Sequence, residues 1–255
     1  MQIQFIFHSS YLVEFSRFYL LFDYYQGELP ELDPNKELYI FASHVHYDHF
    51  SPVVFQLIRK YPNMKFILSD DISEETCRVA LEALGHEEQA IYWIRPGIEY
   101  DFPDLRVHAL PSTDQGVSYL VRAEDSMIFH AGDLNDWCWP NVPLSRNQQM
   151  RQDYLEALEE LKGEMQEMGK KLTGGAVLDA AFLPMDPVLG DGQFRGPLDF
   201  LERIDVRYVF PMHMWERYSI GQQFLEQHPE YRKTFRPIRG AGQRFSLDKD
   251  RLTEL

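Results

Sequence analysis

Three histidines and one aspartate fall within six consecutive residues of this chain: His44, His46, Asp48 and His49. Imidazole nitrogens and carboxylate oxygens are the donors that bind zinc, iron or manganese in proteins. Side chains two residues apart at the end of a strand point to the same side, so His44 and His46 can share one ion. Asp48 and His49 lie in the turn that follows, where the backbone can bring them toward the same point. The pattern predicts binding of one or two transition-metal ions, most simply Zn²⁺.

A metal ion held by this motif would support hydrolysis. Zinc lowers the pKa of water to about 7 in favourable sites and polarises the bond under attack. The competing interpretation is chance clustering of histidines in an exposed loop. It fits poorly, because the chain has only 9 histidines in 255 residues and a strand-like run leads into the motif. We therefore predict a metal-dependent hydrolase that acts on a small molecule.

Short strands and a helix are expected to position the motif. Leu38–Phe41 is an apolar run typical of a buried strand, and it ends just before His44. Ser51 and Pro52 follow the motif as an N-cap residue and a proline at the first helical position, which predicts a helix to about residue 62. Two further strands are predicted in the second half of the chain, Ala181–Pro184 and Tyr208–Pro211.

The segment His44-Val45-His46-Tyr47-Asp48-His49 matches the HxHxDH signature of the metallo-β-lactamase fold family, which the chain resembles over most of its length. The resemblance implies an α/β fold of the αββα type, in which two packed β-sheets are flanked by helices and the metals lie at one edge of the sandwich. The hairpin-like segment 8–14 is similar to that of the branch that includes ascorbate-6-phosphate lactonase-like proteins. A single domain spanning residues 1–255 is expected.

Two later segments resemble the family's remaining metal-binding motifs. Phe129–Asp133 resembles the segment that ends in a metal-bridging aspartate, and Val209–His213 resembles the strand that delivers the last histidine ligand. Taken alone, Asp133 could equally be a turn residue or a helix N-cap, and His213 a hydrogen-bonded core residue. The resemblance implies catalytic roles for Asp48 and Asp133, and it implies a set of six metal ligands: His44, His46, Asp48, His49, Asp133 and His213.

One position departs from the family pattern. Thr113 stands where the family usually has an additional histidine, so the first of two metal sites would lack a strong ligand. Asp114 is the candidate substitute, whereas His108 lies too early in the chain and is interpreted as structural. The second site has all of its ligands. We therefore expect one tightly bound ion or an asymmetric pair, with zinc as the simplest metal and manganese or iron as alternatives.

Other side chains are candidates for supporting roles. His130 is either a buried strand residue or a side chain that orients a ligand. Trp137 and Trp139 could line the pocket or simply pack, and Cys138 between them is a less favoured ligand. Two residues could approach the site from the early hairpin, His8 and Tyr11.

A long amphipathic helix is predicted over Asn147–Leu172, within an insertion at about residues 140–175. Its apolar residues recur three or four positions apart, and Glu and Lys occupy the opposite face. Gly174 and Gly175 are expected to end it. The helix would pack on the core or on a second subunit, and a substrate lid is the alternative.

Composition limits the partners. Twenty-five basic and 40 acidic residues give a net charge of −15, which disfavours nucleic-acid binding but not a small anionic substrate. The start of the chain does not read as a signal peptide, and no apolar run is long enough to span a bilayer. The two cysteines form no CxxC pattern. We expect a cytoplasmic protein, with a homodimer permitted but not specified.

Three functions remain open on sequence grounds. The first is hydrolysis of a small ester, lactone or phosphodiester. The second is a metal-binding or sensor protein with lost or altered catalysis, which the threonine at position 113 keeps possible. The third is an iron redox protein, although that branch of the family has a carboxylate where His46 stands. Fold and metal alone do not fix the substrate.

Overall fold

The computed structural model describes residues 1–86, 90–170, 172–173, 175–248 and 251–255. Its contacts divide the chain into two compact units, Met1–Arg95 with Gly240–Leu255, and Pro96–Arg239. Within the described residues the chain forms these strands: β1 (Gln2–Phe7), β2 (Ser10–Glu14), β3 (Phe18–Phe22), β4 (Glu37–Ala42), β5 (Met64–Ser69), β6 (Ala90–Ile94), β7 (Ile98–Asp101), β8 (Leu105–Pro111), β9 (Val117–Ala123), β10 (Ser126–His130), β11 (Leu178–Pro184), β12 (Val206–Met212), β13 (Arg244–Asp248) and β14 (Arg251–Glu254).

The first unit contains an eight-stranded sheet in the order β14-β13-β1-β2-β3-β4-β5-β6. The pairs from β14 to β3 are antiparallel, whereas β3, β4, β5 and β6 run parallel. Strands β3 and β4 are buried over almost their whole length, as continuous apolar runs predict for strands covered on both faces. Because β4 lies inside the sheet, its carboxyl end is a rigid support for the residues that follow.

Two short helices complete the first unit. Helix α1 (Glu74–Glu82) begins at Ser73, whose side chain accepts a hydrogen bond from the Thr76 amide. The helix predicted after Ser51 does begin there, with Ser51 as N-cap and Pro52 at the first position, but Pro52–Arg59 is a 3₁₀ helix.

The second unit contains a six-stranded sheet in the order β12-β11-β10-β9-β8-β7. Strands β7 to β10 form an antiparallel meander, and β10, β11 and β12 run parallel. Strands β10 and β12 therefore end at the same edge of this sheet, which brings the residues after each of them close together. The strands predicted at Ala181–Pro184 and Tyr208–Pro211 are the buried parts of β11 and β12.

Three α-helices belong to the second unit: α2 (Leu144–Gly169), α3 (Arg195–Arg203) and α4 (Ser219–Gln227). Helix α2 is the predicted amphipathic helix, starting three residues earlier and ending three residues earlier than expected. Its buried stripe packs against β8, β9 and α3, so the insertion rests on the core of its own unit. Of the two glycines expected to end it, Gly174 lies outside the described residues.

The fold class predicted from the sequence, mixed α/β with two multi-stranded sheets and helices, is confirmed. The single-domain organisation stays a prediction. In the described part of the chain, no helix is both long and apolar enough to cross a membrane.

Candidate metal centre

The HxHxDH residues occupy the loop that leaves the carboxyl end of β4. Ser43 and His44 are fully buried, and the loop closes in a tight turn in which the amides of His49 and Phe50 both donate to the carbonyl of His46, at 3.0 and 2.9 Å. The turn brings His49 back over His44, and their ring centroids lie 4.1 Å apart. The sequence expectation that this turn gathers the motif is met within the first unit.

His44 and His46 form a pair of donors. The Nε2 atom of His44 lies 3.0 Å from the Nδ1 atom of His46. On its other side, the Nδ1 atom of His44 lies 3.0 Å from the Ser43 hydroxyl. Zinc–nitrogen bonds are about 2.0–2.1 Å long, so two nitrogens on one ion lie roughly 3.0–3.4 Å apart. The observed spacing fits a shared ion.

His49 is held by a buried carboxylate that the sequence analysis did not identify. The Oδ2 atom of Asp23, at the end of β3, lies 2.7 Å from the Nδ1 atom of His49, and both side chains are fully buried. Asp23 also accepts hydrogen bonds from the amide and hydroxyl of Ser43, both at 2.7 Å. An ionised Asp23 keeps the proton of His49 on Nδ1. The Nε2 lone pair of His49 is then available to a metal.

Asp48 sits between two histidines. Its Oδ2 atom lies 3.3 Å from the Nε2 atom of His8 and 4.0 Å from the Nε2 atom of His49. His8 is buried in the tight turn between β1 and β2 and has a positive φ of 51°. The expected approach of His8 from the early hairpin is therefore observed, whereas Tyr11 packs its ring edge-on against Phe5.

The donors of the first unit fit a transition-metal ion by their chemistry. Four imidazoles and one carboxylate meet in one loop cluster, and donor atoms of His8, Asp48 and His49 all lie within 4.8 Å of one another. Neutral imidazole and carboxylate suit zinc, manganese and iron, and no thiol takes part.

Asp133 follows β10 in a turn built by its neighbours. Gly132 has a φ of +53°, a left-handed conformation that glycine adopts without strain, and the Leu134 amide donates to the Ala131 carbonyl at 2.9 Å. The Asp133 carbonyl accepts a hydrogen bond from the Trp137 indole at 2.8 Å. The side chain of Asp133 is buried. The glycine at position 132 is explained by the left-handed backbone of this turn.

His213 follows β12 and meets Asp133 at the sheet edge. The Nε2 atom of His213 lies 3.6 Å from Oδ1 of Asp133, while its Nδ1 atom lies 2.9 Å from Oδ2 of Asp186. Asp186 follows β11, the strand between the other two, and is buried. His213 is thus flanked by one carboxylate on each ring nitrogen. The sequence analysis missed Asp186, which carries no motif of its own.

Thr113 does not replace a histidine as a ligand in this unit. Its hydroxyl donates to the Asn135 carbonyl at 2.7 Å and accepts from the Asn135 amide at 2.9 Å, so it ties the end of β8 to the loop that carries Asp133. Asp114 is exposed, and one of its carboxylate oxygens lies within 4.8 Å of one of Asp133. Asp114 is therefore close enough to Asp133 for the two carboxylates to bind the same metal ion.

Two other histidines have structural surroundings. The Nδ1 atom of His130 accepts a hydrogen bond from the Gly132 amide at 3.2 Å, which stabilises the turn before Asp133. His108 is buried in β8, and its Nδ1 atom lies 3.3 Å from the carboxylate of Glu164 on α2. The structural interpretation of His108 agrees with this contact between sheet and helix.

Aromatic side chains surround His213 in the second unit. The rings of Trp137 and Trp215 lie edge-on to it, each with its centroid 5.7 Å away. Trp139 stacks on Trp137 at 5.6 Å with the ring planes 10° apart. Cys138 is half-buried, and its sulfur lies 2.7 Å from the Arg195 guanidinium. Among the described residues, Cys138 is not in either group of side chains whose donor atoms lie close enough together to hold a metal ion.

Comparison with known proteins gives a consistent set of relatives. No family model matches the chain. It is 24% identical to a UPF0173 metal-dependent hydrolase from Opitutus terrae, over 94% of this chain and 96% of that protein. The structure is similar to Igni18, a metallo hydrolase from Ignicoccus hospitalis, with a TM-score of 0.59 and 17% identity over 97% of this chain and 99% of that chain.

Two further solved structures have the same fold with different metals. Zn²⁺-bound PqqB from Methylobacterium extorquens aligns with a TM-score of 0.54 and 12% identity, over 93% of this chain and 86% of that one. CmlA, a diiron β-hydroxylase from Streptomyces venezuelae, aligns with a TM-score of 0.58 and 11% identity, over all of this chain and 54% of that one. At these identities the likeness establishes the fold alone.

Proposed function

We infer that this chain, which has the metallo-β-lactamase fold and resembles a metal-dependent hydrolase over almost its whole length, uses metal-activated water to hydrolyse a small ester, lactone or phosphodiester. The observation that carries the proposal is a pattern repeated in each unit. In the first, Asp23 holds the Nδ1 side of His49, and in the second, Asp186 faces the Nδ1 side of His213. Each arrangement leaves Nε2 as a metal donor beside another carboxylate.

We propose that the ligands predicted from the sequence, with Asp114 as the substitute for the missing histidine, hold the metal. One ion would be held by His44 and His46 together with Asp114. Asp48, His49 and His213 would hold a second ion, and Asp133 would be a further ligand, as the resemblance implies. This assignment follows the order of the family's motifs along the chain. It is supported by the donor spacings inside each unit, 3.0 Å between His44 and His46 and 3.6 Å between Asp133 and His213.

A divalent ion held there would supply Lewis acidity and lower the pKa of water toward neutrality. The chain's own residues would orient the reactants. Asp48, with an oxygen 3.3 Å from the Nε2 atom of His8, would accept a proton from the attacking water while His8 keeps the carboxylate in place. Asp133 would act as a metal ligand, as the resemblance implies. Asp23 and Asp186 would fix the two histidines that they contact.

Zinc is our preferred metal, because a set of imidazoles and carboxylates without thiolates suits it and a neighbour of the same fold binds it. Manganese and iron have compatible ligand preferences, and another neighbour is a diiron protein. Elemental analysis of the purified protein, expressed in medium that contains all three metals, identifies the ion. Iron together with visible absorbance would favour the redox alternative over hydrolysis.

The exposed side chains next to the donors favour a substrate that carries an apolar group. Val45 and Tyr47, which alternate with the donors of the motif, are 42% and 71% exposed. Val188 and Trp215, which flank Asp186, are 58% and 38% exposed. Isolated exposed apolar residues are ordinary, but in each unit a pair of them beside residues of the candidate site would provide contact area for the part of a substrate that does not react.

Metal content and hydrolysis should be lost together. We expect His46→Ala and Asp133→Ala to lower the bound metal per chain and the turnover of 4-nitrophenyl butyrate, hexanolactone or bis(4-nitrophenyl) phosphate. His86→Ala, a half-buried histidine beside helix α1, is the matched control and should retain both. If both site variants kept the wild-type metal content, the ligand assignment would be wrong. Wild-type metal content without turnover of any of the three compounds would favour the binding or sensor function.

The substrate preference has its own test. Trp215→Ala should raise KM about 5–30-fold for 4-nitrophenyl butyrate, since loss of an apolar contact of this size is worth about 1–2 kcal/mol. The same variant should leave KM for methyl acetate nearly unchanged. An equal effect on both esters would remove the argument for an apolar subsite. The cytoplasmic location and the small-molecule partner remain part of this proposal.

A further inference from the structure

Asp186 uses its two carboxylate oxygens for two different tasks. Oδ1 accepts the backbone N–H of Val188 at 2.8 Å, and thereby caps the 3₁₀ helix Pro187–Gly192. Oδ2 lies 2.9 Å from the Nδ1 atom of His213 and 3.4 Å from the indole nitrogen of Trp215. The carboxyl group is buried, so neither oxygen is a solvent-exposed surface group.

The contact with Oδ2 acts on the two ring nitrogens of His213 through electrostatics, since the 2.9 Å approach to Nδ1 does not meet the angular geometry of a hydrogen bond. A carboxylate oxygen and an imidazole lone pair repel each other at 2.9 Å, whereas a carboxylate and an N–H attract. The proton of neutral His213 is therefore favoured on Nδ1. Nε2, which lies 3.6 Å from Asp133, is left with its lone pair.

The backbone at His213 shows that its position is enforced. His213, Trp215 and Glu216 have φ values of 61°, 48° and 61°, and none of them is a glycine. Left-handed backbone is unfavourable at residues other than glycine and persists only where surrounding contacts hold it. Asp186 contacts the side chains of both His213 and Trp215, so it is placed to hold this loop.

We propose that Asp186 is a positioning residue that fixes the Nδ1–H tautomer of His213 and so presents Nε2 as a metal donor. The inference rests on the proposed function for the identity of the ion's ligands, but its tautomer part concerns the metal-free protein. Carboxylates behind metal-binding histidines typically contribute 10–100-fold to metal affinity. Asp186 lies outside the HxHxDH motif, and the motif does not predict its role.

Asp186→Asn separates the two tasks of the carboxylate. The amide oxygen should remain on the Val188 N–H, which only donates, and the amide NH₂ should then face His213. Nδ1 of His213 can accept a hydrogen bond from this NH₂ group only if the proton of the imidazole moves to Nε2. We therefore expect long-range ¹⁵N–¹H correlation spectra of histidine-labelled, metal-free protein at pH 8 to show Nδ1–H in the wild type and Nε2–H in the variant.

Metal affinity provides the second readout. In competition with a chromophoric chelator, Asp186→Asn should bind Zn²⁺ about 10–100-fold more weakly than the wild type. Asp191→Asn removes the same charge from an exposed position of the same 3₁₀ helix and should bind as the wild type does. Should the Asn variant fail to fold, Asp186→Ser keeps an oxygen for the Val188 amide but is too short to reach His213, and it is expected to show the same weakened affinity.

The two readouts distinguish failure of this inference from failure of the proposed function. An unchanged His213 tautomer in a folded variant would overturn the role of Asp186. So would unchanged Zn²⁺ affinity in a wild type that does bind the metal. If the wild type bound no metal, the proposed function would fail, and the tautomer measurement would still decide whether Asp186 directs the proton of His213.

Discussion

The hydroxyl of Thr113 is predicted to stabilise the loop that carries Asp133. It donates to the Asn135 carbonyl at 2.7 Å and accepts from the Asn135 amide at 2.9 Å, and Asn135 is almost completely buried. Thr113→Val keeps the shape of the side chain and removes both hydrogen bonds. The carbonyl of Asn135 keeps the Trp137 amide as a donor at 3.1 Å, so the buried Asn135 amide bears most of the loss.

The expected cost of Thr113→Val is about 1–3 kcal/mol, the penalty for a buried N–H left without its acceptor. In a protein of this size, 1 kcal/mol corresponds to roughly 2–4 °C in melting temperature, which gives a decrease of about 2–12 °C. Urea titration of the metal-free protein, followed by circular dichroism, measures the free energy of unfolding. Metal-free protein is used so that bound ions do not add to its stability.

Thr113→Ser is the matched control, because serine keeps the hydroxyl and loses only a methyl group. It should lie within about 1 kcal/mol of the wild type. The valine variant should also bind Zn²⁺ more weakly, since Asp133 lies two residues from Asn135. A valine variant as stable as the wild type, or a serine variant as unstable as the valine, would refute the role assigned to the hydroxyl.

Three further predictions concern other buried groups. Asp23→Asn should weaken Zn²⁺ binding about 10–100-fold, because the amide would push the proton of His49 to Nε2; equal affinity in a chelator competition would contradict this. Burial raises the pKa of Cys77 to about 12, so its thiolate fraction at pH 8 is on the order of 10⁻⁴. A disulfide reagent should therefore modify only the half-exposed Cys138 in native protein. Rapid modification of two thiols would contradict this prediction. Tyr154→Phe should cost about 1 kcal/mol in urea titration, because its buried hydroxyl donates to a backbone carbonyl at 2.9 Å; a loss above about 3 kcal/mol would imply an additional role.

Local patterns in the sequence predicted the strands and the long helix well. The apolar runs at β3 and β4 are nearly continuous, and the stripe of α2 recurs at helical spacing, so each signal lies within a few neighbouring residues. The boundaries were less accurate. Helix α4 begins only at Ser219, because Trp215 and Glu216 just before it adopt positive φ values that an α-helix excludes.

The donors of the candidate centre were predictable to different degrees. His44, His46, Asp48 and His49 are adjacent in sequence, and their chemistry is evident from spacing alone. Asp23 and Asp186 were missed because each meets its histidine across 26 or 27 residues of chain, at the ends of neighbouring strands. A single aspartate after an apolar run resembles an ordinary turn residue, so only the strand order reveals what it contacts.

Thr113 shows the complementary limit. The resemblance to the family marks Thr113 as the position of a missing ligand, and it does not indicate what the threonine does instead. Its partners are backbone atoms of Asn135, and backbone partners leave no trace in residue identity. The role of Asp114 as a substitute ligand stays a prediction.

Anomalous diffraction from crystals grown with Zn²⁺ tests the central claim most directly. Data collected on both sides of the zinc absorption edge locate the ion without assuming its ligands. The account predicts a peak about 2.0–2.2 Å from the Nε2 atom of His49, with the Nε2 atom of His213 in the coordination shell of the same ion. A peak that contacts neither histidine, or no peak in crystals soaked at millimolar Zn²⁺, would contradict it.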